Sequence, residues 1–312
     1  MMGKALLLHL GLLALLLSGR WLLPGYHLDA MAKIMVLSVY AIGYNIAFGY
    51  TGMLSLGHAL FFAAGLYGAA MGITVGGLTA GPAMIAGLLA GGVLAAVVGV
   101  LALRTTGVAF MIVTLMFAQA GYLTILYLGQ WTRGDEGIVI AQALRRIGPY
   151  DLSDAGTRYV AALLLFALSL LTCLQIVRSP MGRVMVAMRE NEERARMLGY
   201  NPFTVKLAAL IGSGLYAGAA GAAYALMFGY VGASLASVQY SILPLLWVLL
   251  GGAGTVIGPF VGVLVMFYLI DYAGHLTSAT LLVVGVALVA LVLFAPKGIV
   301  GTVRERWLTW LP

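Results

Sequence analysis

Long apolar runs follow one another along almost the whole chain, and they restrict what it can fold into. A helix needs about 20 apolar residues to cross the hydrocarbon core of a bilayer. Ten runs predict spans: Ala5–Leu23, Ile34–Tyr50, Leu54–Gly72, Pro82–Leu103, Val108–Leu128, Tyr159–Val177, Val205–Tyr230, Val238–Leu250, Val256–Tyr272 and Thr280–Phe294. The shortest, Val238–Leu250, predicts either a full span extended by the residues before it or a re-entrant segment.

The composition is incompatible with a water-soluble surface. Only 9% of the residues are charged and 62% are hydrophobic, whereas soluble domains carry about 25% charged residues. The net charge of +7 is spread between the apolar runs and forms no continuous patch, which argues against a nucleic-acid partner. The sequence therefore predicts an all-α fold, a polytopic transmembrane helical bundle of about ten spans in a lipid bilayer. We expect a single transmembrane domain over residues 1–312.

The first run follows Lys4 and resembles a signal peptide. No small-x-small cleavage site comes after it, because the chain reads Ser18-Gly19-Arg20-Trp21. We therefore expect an uncleaved first span.

The distribution of basic residues predicts the orientation in the membrane. Residues 178–206 hold six basic and three acidic side chains, whereas residues 129–158 hold four of each. The positive-inside rule places the first segment in the cytoplasm, together with the basic tail after the last span. Counting spans then puts both termini in the cytoplasm and makes 129–158 the largest external loop.

Residues 179–202 have the pattern of two short helices joined by a kink. Pro180 suits a helix start, and Asn191 suits the cap of a second helix with acidic residues in its first turn. Gly199 then predicts a helix end, since Pro202 follows it. Ala195 and Leu198 would form an apolar face able to enter a partner's groove. The alternative is a solvated loop made basic only to fix topology.

This segment resembles the cytoplasmic loop of the LivM-type permeases of branched-chain amino-acid ABC transporters. The residues that carry the resemblance are Ser179, Pro180, Gly182, Arg183, Ala187, Arg189, Glu190, Asn191, Glu192, Ala195, Leu198, Gly199, Asn201, Lys206 and Leu207. Residues 49–62, 250–259 and 293–301 resemble the same family in the same order. Glu193-Arg194 departs from the family pattern, which more often has an apolar or alanine pair there.

The resemblance implies the membrane-spanning permease subunit of an ATP-driven importer in a bacterial-type inner membrane. Its expected partners are two ATP-binding subunits, a second related permease subunit and an extracytoplasmic solute-binding protein. Branched-chain amino acids are the leading substrates, and urea or short amides are carried by related permeases. The resemblance assigns contact with the ATPases to Gly182, Arg183, Arg189, Glu190, Asn191, Glu192, Ala195, Leu198 and Gly199.

Several chemistries lack their residues in this chain. A phosphate-binding P-loop needs Gly-Lys followed by Ser or Thr, and the four lysines are followed by Ala5, Ile34, Leu207 and Gly298. No span holds residues at metal-ligand spacing, and no nucleophile–base pair is evident. We therefore expect neither an enzyme nor a cofactor or metal site. A self-sufficient secondary carrier or channel remains the alternative function.

Polar residues and glycines within the spans or at the turns between them are candidates for a translocation path. They are Asn45, Gly52, Ser55, His58, Gly254 and Thr255. His58 either hydrogen-bonds across a hinge or lines the path. The similar quartets 49–52 and 251–254 each predict a tight turn between two spans. Backbone N–H groups freed at such a turn could hold a substrate carboxylate.

Overall fold

The computed structural model describes residues 2–276 and 279–307, and helices make up most of it. The α-helices of these residues are α1 (Met2–Leu22), α2 (Gly25–Asn45), α3 (His58–Thr74), α4 (Ala80–Ala102), α5 (Gly107–Tyr127), α6 (Gly129–Thr132), α7 (Ala155–Arg178), α8 (Pro180–Glu190), α9 (Glu192–Met197), α10 (Pro202–Phe228), α11 (Val238–Gly251), α12 (Gly258–Leu276), α13 (Thr280–Phe294) and α14 (Gly298–Arg306). A π-helical turn over Ile46–Tyr50 extends α2. Short 3-10 turns cover Gln142–Leu144 and Ala233–Ala236.

The strands in the described residues are two residues long and form two antiparallel pairs. Strand β1 (Ile138–Val139) pairs with β4 (Tyr230–Val231), and β2 (Arg146–Ile147) pairs with β3 (Tyr150–Asp151). These pairs order parts of the 129–158 connection without forming a sheet core. The predicted all-α fold is confirmed.

The apolar runs fold as helices that suit a membrane. Among the described residues, seven helices are long and apolar enough to cross one: α1, α2 with its π turn, α4, α5, α7, α10 and α12. Two shorter apolar helices, α3 and α11, lie beside them, and the tenth run forms α13. The predicted polytopic helical bundle is therefore confirmed. Helix α11 has 14 residues and contains Pro244, so its length of about 21 Å is less than a 30 Å hydrocarbon core.

The centre of the bundle is built around α2 and α10. Every residue of α2 from Ile34 to Asn45 is buried, as expected of a helix that is apolar on all sides. Helix α10 packs against α2, α3 and α4. The start of α2 corrects the predicted boundary at Ile34, because the helix already begins at Gly25. Its polar first turns are held by an ion pair between Asp29 and Arg158.

Glycines allow α4 and α10 to approach closely. Gly87 and Gly91 of α4 face Gly214 and Gly218 of α10, which is the small-xxx-small packing of membrane helices. Because these positions have no side chain, backbone contacts backbone between the two helices.

We expect Gly218→Ala to destabilise the protein by about 1–3 kcal/mol, because overpacking forces the helices apart. A Cβ at residue 218 would lie 2.8 Å from the Gly87 carbonyl oxygen and 2.9 Å from that of Leu88, and neither backbone atom can move freely. Gly212→Ala is the matched control on the same helix, since among the described residues no heavy atom beyond its chain neighbours and its own helix backbone lies within 4 Å of its Cβ position. Thermal unfolding in detergent should show a lower midpoint for the first variant only. Equal midpoints would refute this account of the packing.

Three parts of the chain lie at the same end of the bundle, which we call the α8 end. Helix α8 follows the end of α7, and α1 runs antiparallel to α7, because Tyr159 donates a hydrogen bond to the Leu16 carbonyl. The start of α1 is therefore at the α8 end. Helix α14 is there as well, because its Arg304 donates a hydrogen bond to the Gly254 carbonyl and Gly254 lies beside Arg189 of α8. The connection 129–154 lies at the opposite end, where Asp154 caps α7 by accepting a hydrogen bond from the Thr157 N–H at 2.8 Å. That bond holds the pKa of Asp154 below its usual range. The assignment of the α8 end to the cytoplasm stays a prediction.

Candidate functional site

The segment from Ser179 to Asn201 folds as the predicted helix–kink–helix. The Ser179 hydroxyl caps α8 by accepting from the Gly182 N–H at 3.2 Å. The Asn191 side chain caps α9 by accepting from the Arg194 N–H at 2.9 Å. Gly199 has a φ of 91°, a backbone conformation that glycine adopts without strain. Asn201 then caps α10.

One face of α8 anchors it to the bundle. Val184, Met185 and Met188 are buried, whereas Arg183 and Glu190 are exposed. Gly182 lies against the last turn of α7, where a Cβ would collide with the carbonyl oxygens of Ile176 and Val177. A side chain at residue 182 would therefore push α8 away from α7.

Helix α9 is attached to α10 and leaves an apolar tip exposed. Lys206 and Glu192 form an ion pair with 2.5 Å between Nζ and Oε2. Ala195 is only 1% exposed, whereas Met197 and Leu198 are 79% and 75% exposed. The predicted apolar face of Ala195 and Leu198 is therefore corrected, because Ala195 packs within the chain. The surface open to a partner is the tip formed by Met197 and Leu198, which we call the α9 tip.

Two irregular segments interrupt the helices near the α8 end. The first break, residues 51–57, separates the π turn of α2 from α3, and the second break, residues 252–257, separates α11 from α12. The first break lies within the depth of the bundle. Its Leu56 N–H donates to the Thr114 hydroxyl, which lies seven residues into α5, or about 10 Å from the start of that helix. Irregular backbone is tolerated at membrane depth where protein surrounds it.

Arg189 connects α8 with both breaks. Its Nη1 donates a hydrogen bond to the Gly49 carbonyl, just before the first break. Gly52 has a φ of 77°, and its Cβ position is 2.8 Å from Arg189 Cγ. Gly254 in the second break has a φ of 73°, and its Cβ position is 2.9 Å from Arg189 Nη1. A side chain at either glycine would displace the arginine.

Asn45 joins α2 to the second break. Its Oδ1 accepts from the Gly254 N–H at 3.0 Å, and its Nδ2 donates to the Thr255 carbonyl at 2.9 Å. Arg304 of α14 donates to the Gly254 carbonyl at 3.2 Å. The two similar quartets of the sequence, 49–52 and 251–254, are thereby brought side by side.

The first break is held by polar side chains from several helices. Tyr44 donates to the Ser55 carbonyl at 3.0 Å, and the Ser55 hydroxyl accepts from the Gly57 N–H at 3.2 Å. His58 Nε2 and the Ser213 hydroxyl are 2.7 Å apart, at the start of α3. These buried contacts favour the hinge alternative for His58 over a position on an open path.

Two cavities flank Arg189 at the α8 end. A groove of about 500 Å³ lies between the first break, the α4–α5 connection and residues 188–192. A second cavity of about 520 Å³ lies between the second break and α14. Arg189 lines both cavities, so its side chain stands between them.

Comparison with known proteins gives a family for the chain. The family described as "Branched-chain amino acid transport system / permease component" matches residues 26–295. The chain belongs to this family. A permease of this family is a membrane component of an ABC-type transporter, and its apolar helices fit a multi-pass inner-membrane protein.

Curated relatives support the same assignment for the permease. The chain is 28% identical to the high-affinity branched-chain amino acid transport system permease protein LivM of Escherichia coli (strain K12), over 97% of the chain and 76% of that protein. It is 27% identical to the protein of the same name from Salmonella typhimurium, with the same coverage. No solved structure matches the chain. The relatives are transport subunits rather than enzymes, in line with the predicted class.

Several side chains that hydrogen-bond to the breaks or to α3 were not predicted from the sequence. Thr114, Ser213 and Arg304 bind the breaks or α3, and the Ser241 hydroxyl accepts from the Ala59 N–H at 3.0 Å. Hydroxyl groups inside apolar helices were the available signal, because such groups hydrogen-bond between membrane helices. In the part of the chain that the structure describes, no group of three or more His, Cys, Asp or Glu side chains could hold a metal ion.

Proposed function

We propose that this chain is the membrane-spanning permease subunit of an ATP-driven importer. Two separate ATP-binding subunits contact α8 and α9 from the cytoplasm, and a second, related permease subunit completes the path. A soluble binding protein delivers the solute at the outer face, where residues 129–158 form the largest connection. The leading substrates are branched-chain amino acids, by analogy with the names of the family and of its curated relatives. Urea and short amides are the other candidates.

The contact of Arg189 with both breaks is the observation that carries this proposal. Closure of the ATPases would move the α9 tip, and the capped helices α8 and α9 would transmit that movement as short rigid units. Arg189 would then shift Gly49 and the first break relative to α3. The second break follows because Asn45 joins it to α2. Interrupted helices around a central path are a common feature of transporters.

The residues predicted to contact the ATPases divide into two groups under this proposal. Arg183, Arg189, Glu190, Leu198 and Gly199 are exposed and available to a partner, although the guanidinium of Arg189 also donates to the Gly49 carbonyl. Gly182 and Ala195 are buried, Glu192 binds Lys206, and the Asn191 side chain caps α9. The residues of the second group stabilise the conformation of α8 and α9, the segment that the ATPases would contact.

Reconstitution tests the proposal against its alternative. Proteoliposomes containing this chain, its partner permease, the two ATPases and the binding protein should accumulate labelled leucine only when ATP is supplied. Liposomes that contain this chain alone should show no uptake. Uptake by the chain alone, without ATP, would instead establish a self-sufficient carrier or channel.

The variant Leu198→Asp should weaken binding of the ATPases at least tenfold. A carboxylate in an apolar contact must be desolvated without a partner, and central apolar anchors dominate interface energies. Affinity can be measured by titrating the labelled permease in nanodiscs with purified ATPases. Leu144→Asp is the matched control, because Leu144 is also exposed but lies at the opposite end of the bundle. Unchanged affinity for Leu198→Asp would rule out the α9 tip as the docking surface.

A further inference from the structure

A crevice of about 280 Å³ opens between α2, α10, α11 and α12, away from the breaks. Aromatic side chains form much of its wall, among them Tyr224, Tyr240 and Trp247. Lys33 of α2 and Asp271 of α12 also line it. Binding sites for small ligands combine an apolar wall with a few placed polar groups, and this crevice has that composition.

The two charges lie at a similar depth in the bundle. Lys33 is sixteen residues before Gly49 on the same extended helix, or about 24 Å along its axis. Asp271 is thirteen residues after Gly258, or about 20 Å along α12. Because Gly49 and Gly258 both lie beside the breaks at the α8 end, the lysine and the aspartate approach the opposite end together.

Lys33 forms no direct ion pair within the described residues, although Asp29, four residues earlier on α2, attracts it. Within the described residues, no carboxylate oxygen lies within 4.0 Å of its ammonium group, and Asp29 pairs with Arg158 instead. The ammonium lies 5.3 Å from the ring centroid of Phe228 and 5.9 Å from that of Tyr224. The attraction of a cation to aromatic ring faces partly offsets the cost of half-burying its charge. It leaves the hydrogen-bond donors of the ammonium group free for an anionic ligand.

Asp271 keeps its carboxylate accessible to a ligand. From the described residues it accepts one hydrogen bond, from the Tyr26 hydroxyl at 2.7 Å. A carboxylate has about four acceptor positions, so most of its capacity remains free for a cation. The crevice therefore presents an unpaired cation and a largely free anion to one apolar volume.

A second cavity adjoins the crevice toward the end opposite α8. It has about 410 Å³ and is lined by Tyr26, Asp29, Arg158, Lys33 and Phe267. Lys33 and Phe267 line the crevice as well. A solute entering beside the Asp29–Arg158 ion pair would meet Lys33 before the deeper aromatic wall.

We propose that this crevice binds the zwitterionic head of an α-amino acid, with its carboxylate on Lys33 and its ammonium on Asp271. The apolar side chain of the amino acid lies against the aromatic wall. The inference rests on the proposed function and narrows its substrate class, because urea and short amides carry no pair of opposite charges. It also places recognition about 20 Å from the residues that the sequence indicated for the path.

Cysteine labelling tests the site without requiring transport. The native Cys173 is buried, so a Cys173→Ala background leaves an engineered Leu243→Cys in the crevice as the reporter. Phe267→Cys is a second reporter in case the first fails to fold. In nanodiscs, leucine should slow labelling by a small methanethiosulfonate at least tenfold. Leucine amide, which lacks the carboxylate, and 4-methylpentanoate, which lacks the amine, should protect far less.

Charge variants then assign the two ends of the ligand. Lys33→Met should abolish the advantage of leucine over leucine amide, and Asp271→Asn should abolish its advantage over 4-methylpentanoate. Arg146→Met is the control, since Arg146 lies outside the crevice and pairs with Asp151 at 3.4 Å. Equal protection by leucine and both analogues would overturn the inference, as would unchanged selectivity in both charge variants. Protection from labelling does not depend on ATP. Failure of ATP-driven uptake would therefore refute the proposed function, while the labelling test would still decide whether the crevice binds leucine.

Discussion

Arg189→Ala is expected to stop ATP-driven uptake while the ATPases remain bound and continue to hydrolyse ATP. The guanidinium of Arg189 on α8 donates a hydrogen bond to the Gly49 carbonyl. A charge-assisted hydrogen bond of this kind is stronger than a neutral one. Without it, movement of α8 would no longer displace the first break. We expect transport to fall at least tenfold, with ATP hydrolysis reduced less than twofold. Parallel assays of uptake and phosphate release in proteoliposomes measure both quantities.

Two further variants separate coupling from loss of charge. Arg189→Lys keeps the positive charge but lacks the planar fork of donors, so we expect it to restore only part of the uptake. Arg306→Ala removes an exposed arginine at the same end of the bundle and should transport normally. If uptake and hydrolysis fall in proportion in Arg189→Ala, the arginine contributes to docking rather than to coupling.

Asn45→Leu is expected to destabilise the permease by about 2 kcal/mol and to reduce uptake. The substitution removes both hydrogen bonds to the second break and leaves the Gly254 N–H and the Thr255 carbonyl buried without this partner. Each lost hydrogen bond costs about 1 kcal/mol of stability. This is the lower end of the range for leaving a buried polar group unpaired, because hydrogen bonds between membrane helices contribute little. The thermal midpoint in detergent should fall, and leucine uptake should fall further, because the second break is no longer held to α2.

Gln119→Leu is the matched control for this loss of an amide. Gln119 lies on α5, and its side chain is exposed, so replacing its amide leaves no buried group unpaired. Its thermal midpoint should equal or exceed that of the parent protein. A midpoint unchanged in Asn45→Leu would show that the second break is stable without α2.

The helix–kink–helix at 180–197 was predictable because its determinants are local. Each cap involves a side chain and a backbone N–H three residues away, as at Ser179 and Asn191. The burial of Ala195 was not predictable, because a helix of six residues has too few positions to define a face. Packing against α10 decided it. The boundary of α2 was misplaced for a related reason, since its polar start is stabilised by Arg158, a residue 129 positions away.

Several residues predicted for the path hydrogen-bond around the two breaks, and their place on a path stays a prediction. Polar groups among apolar runs marked Asn45, Ser55 and His58 as unusual. That Asn45 binds Gly254, more than two hundred residues away, required the folded bundle. No functional role was predicted for Lys33 from the sequence, and nothing in its neighbourhood along the chain pointed to Asp271.

The sequence by itself determined the solvent, the helical class and the family, because hydropathy and motif order are properties of contiguous residues. It also determined the caps of α8 and α9, whose partners lie within one helical turn. Only the tertiary structure decided that Arg189 meets both breaks and that Lys33 and Asp271 share a crevice. These contacts join residues far apart in the chain, and packing geometry alone selects them from the many polar pairs that the sequence allows.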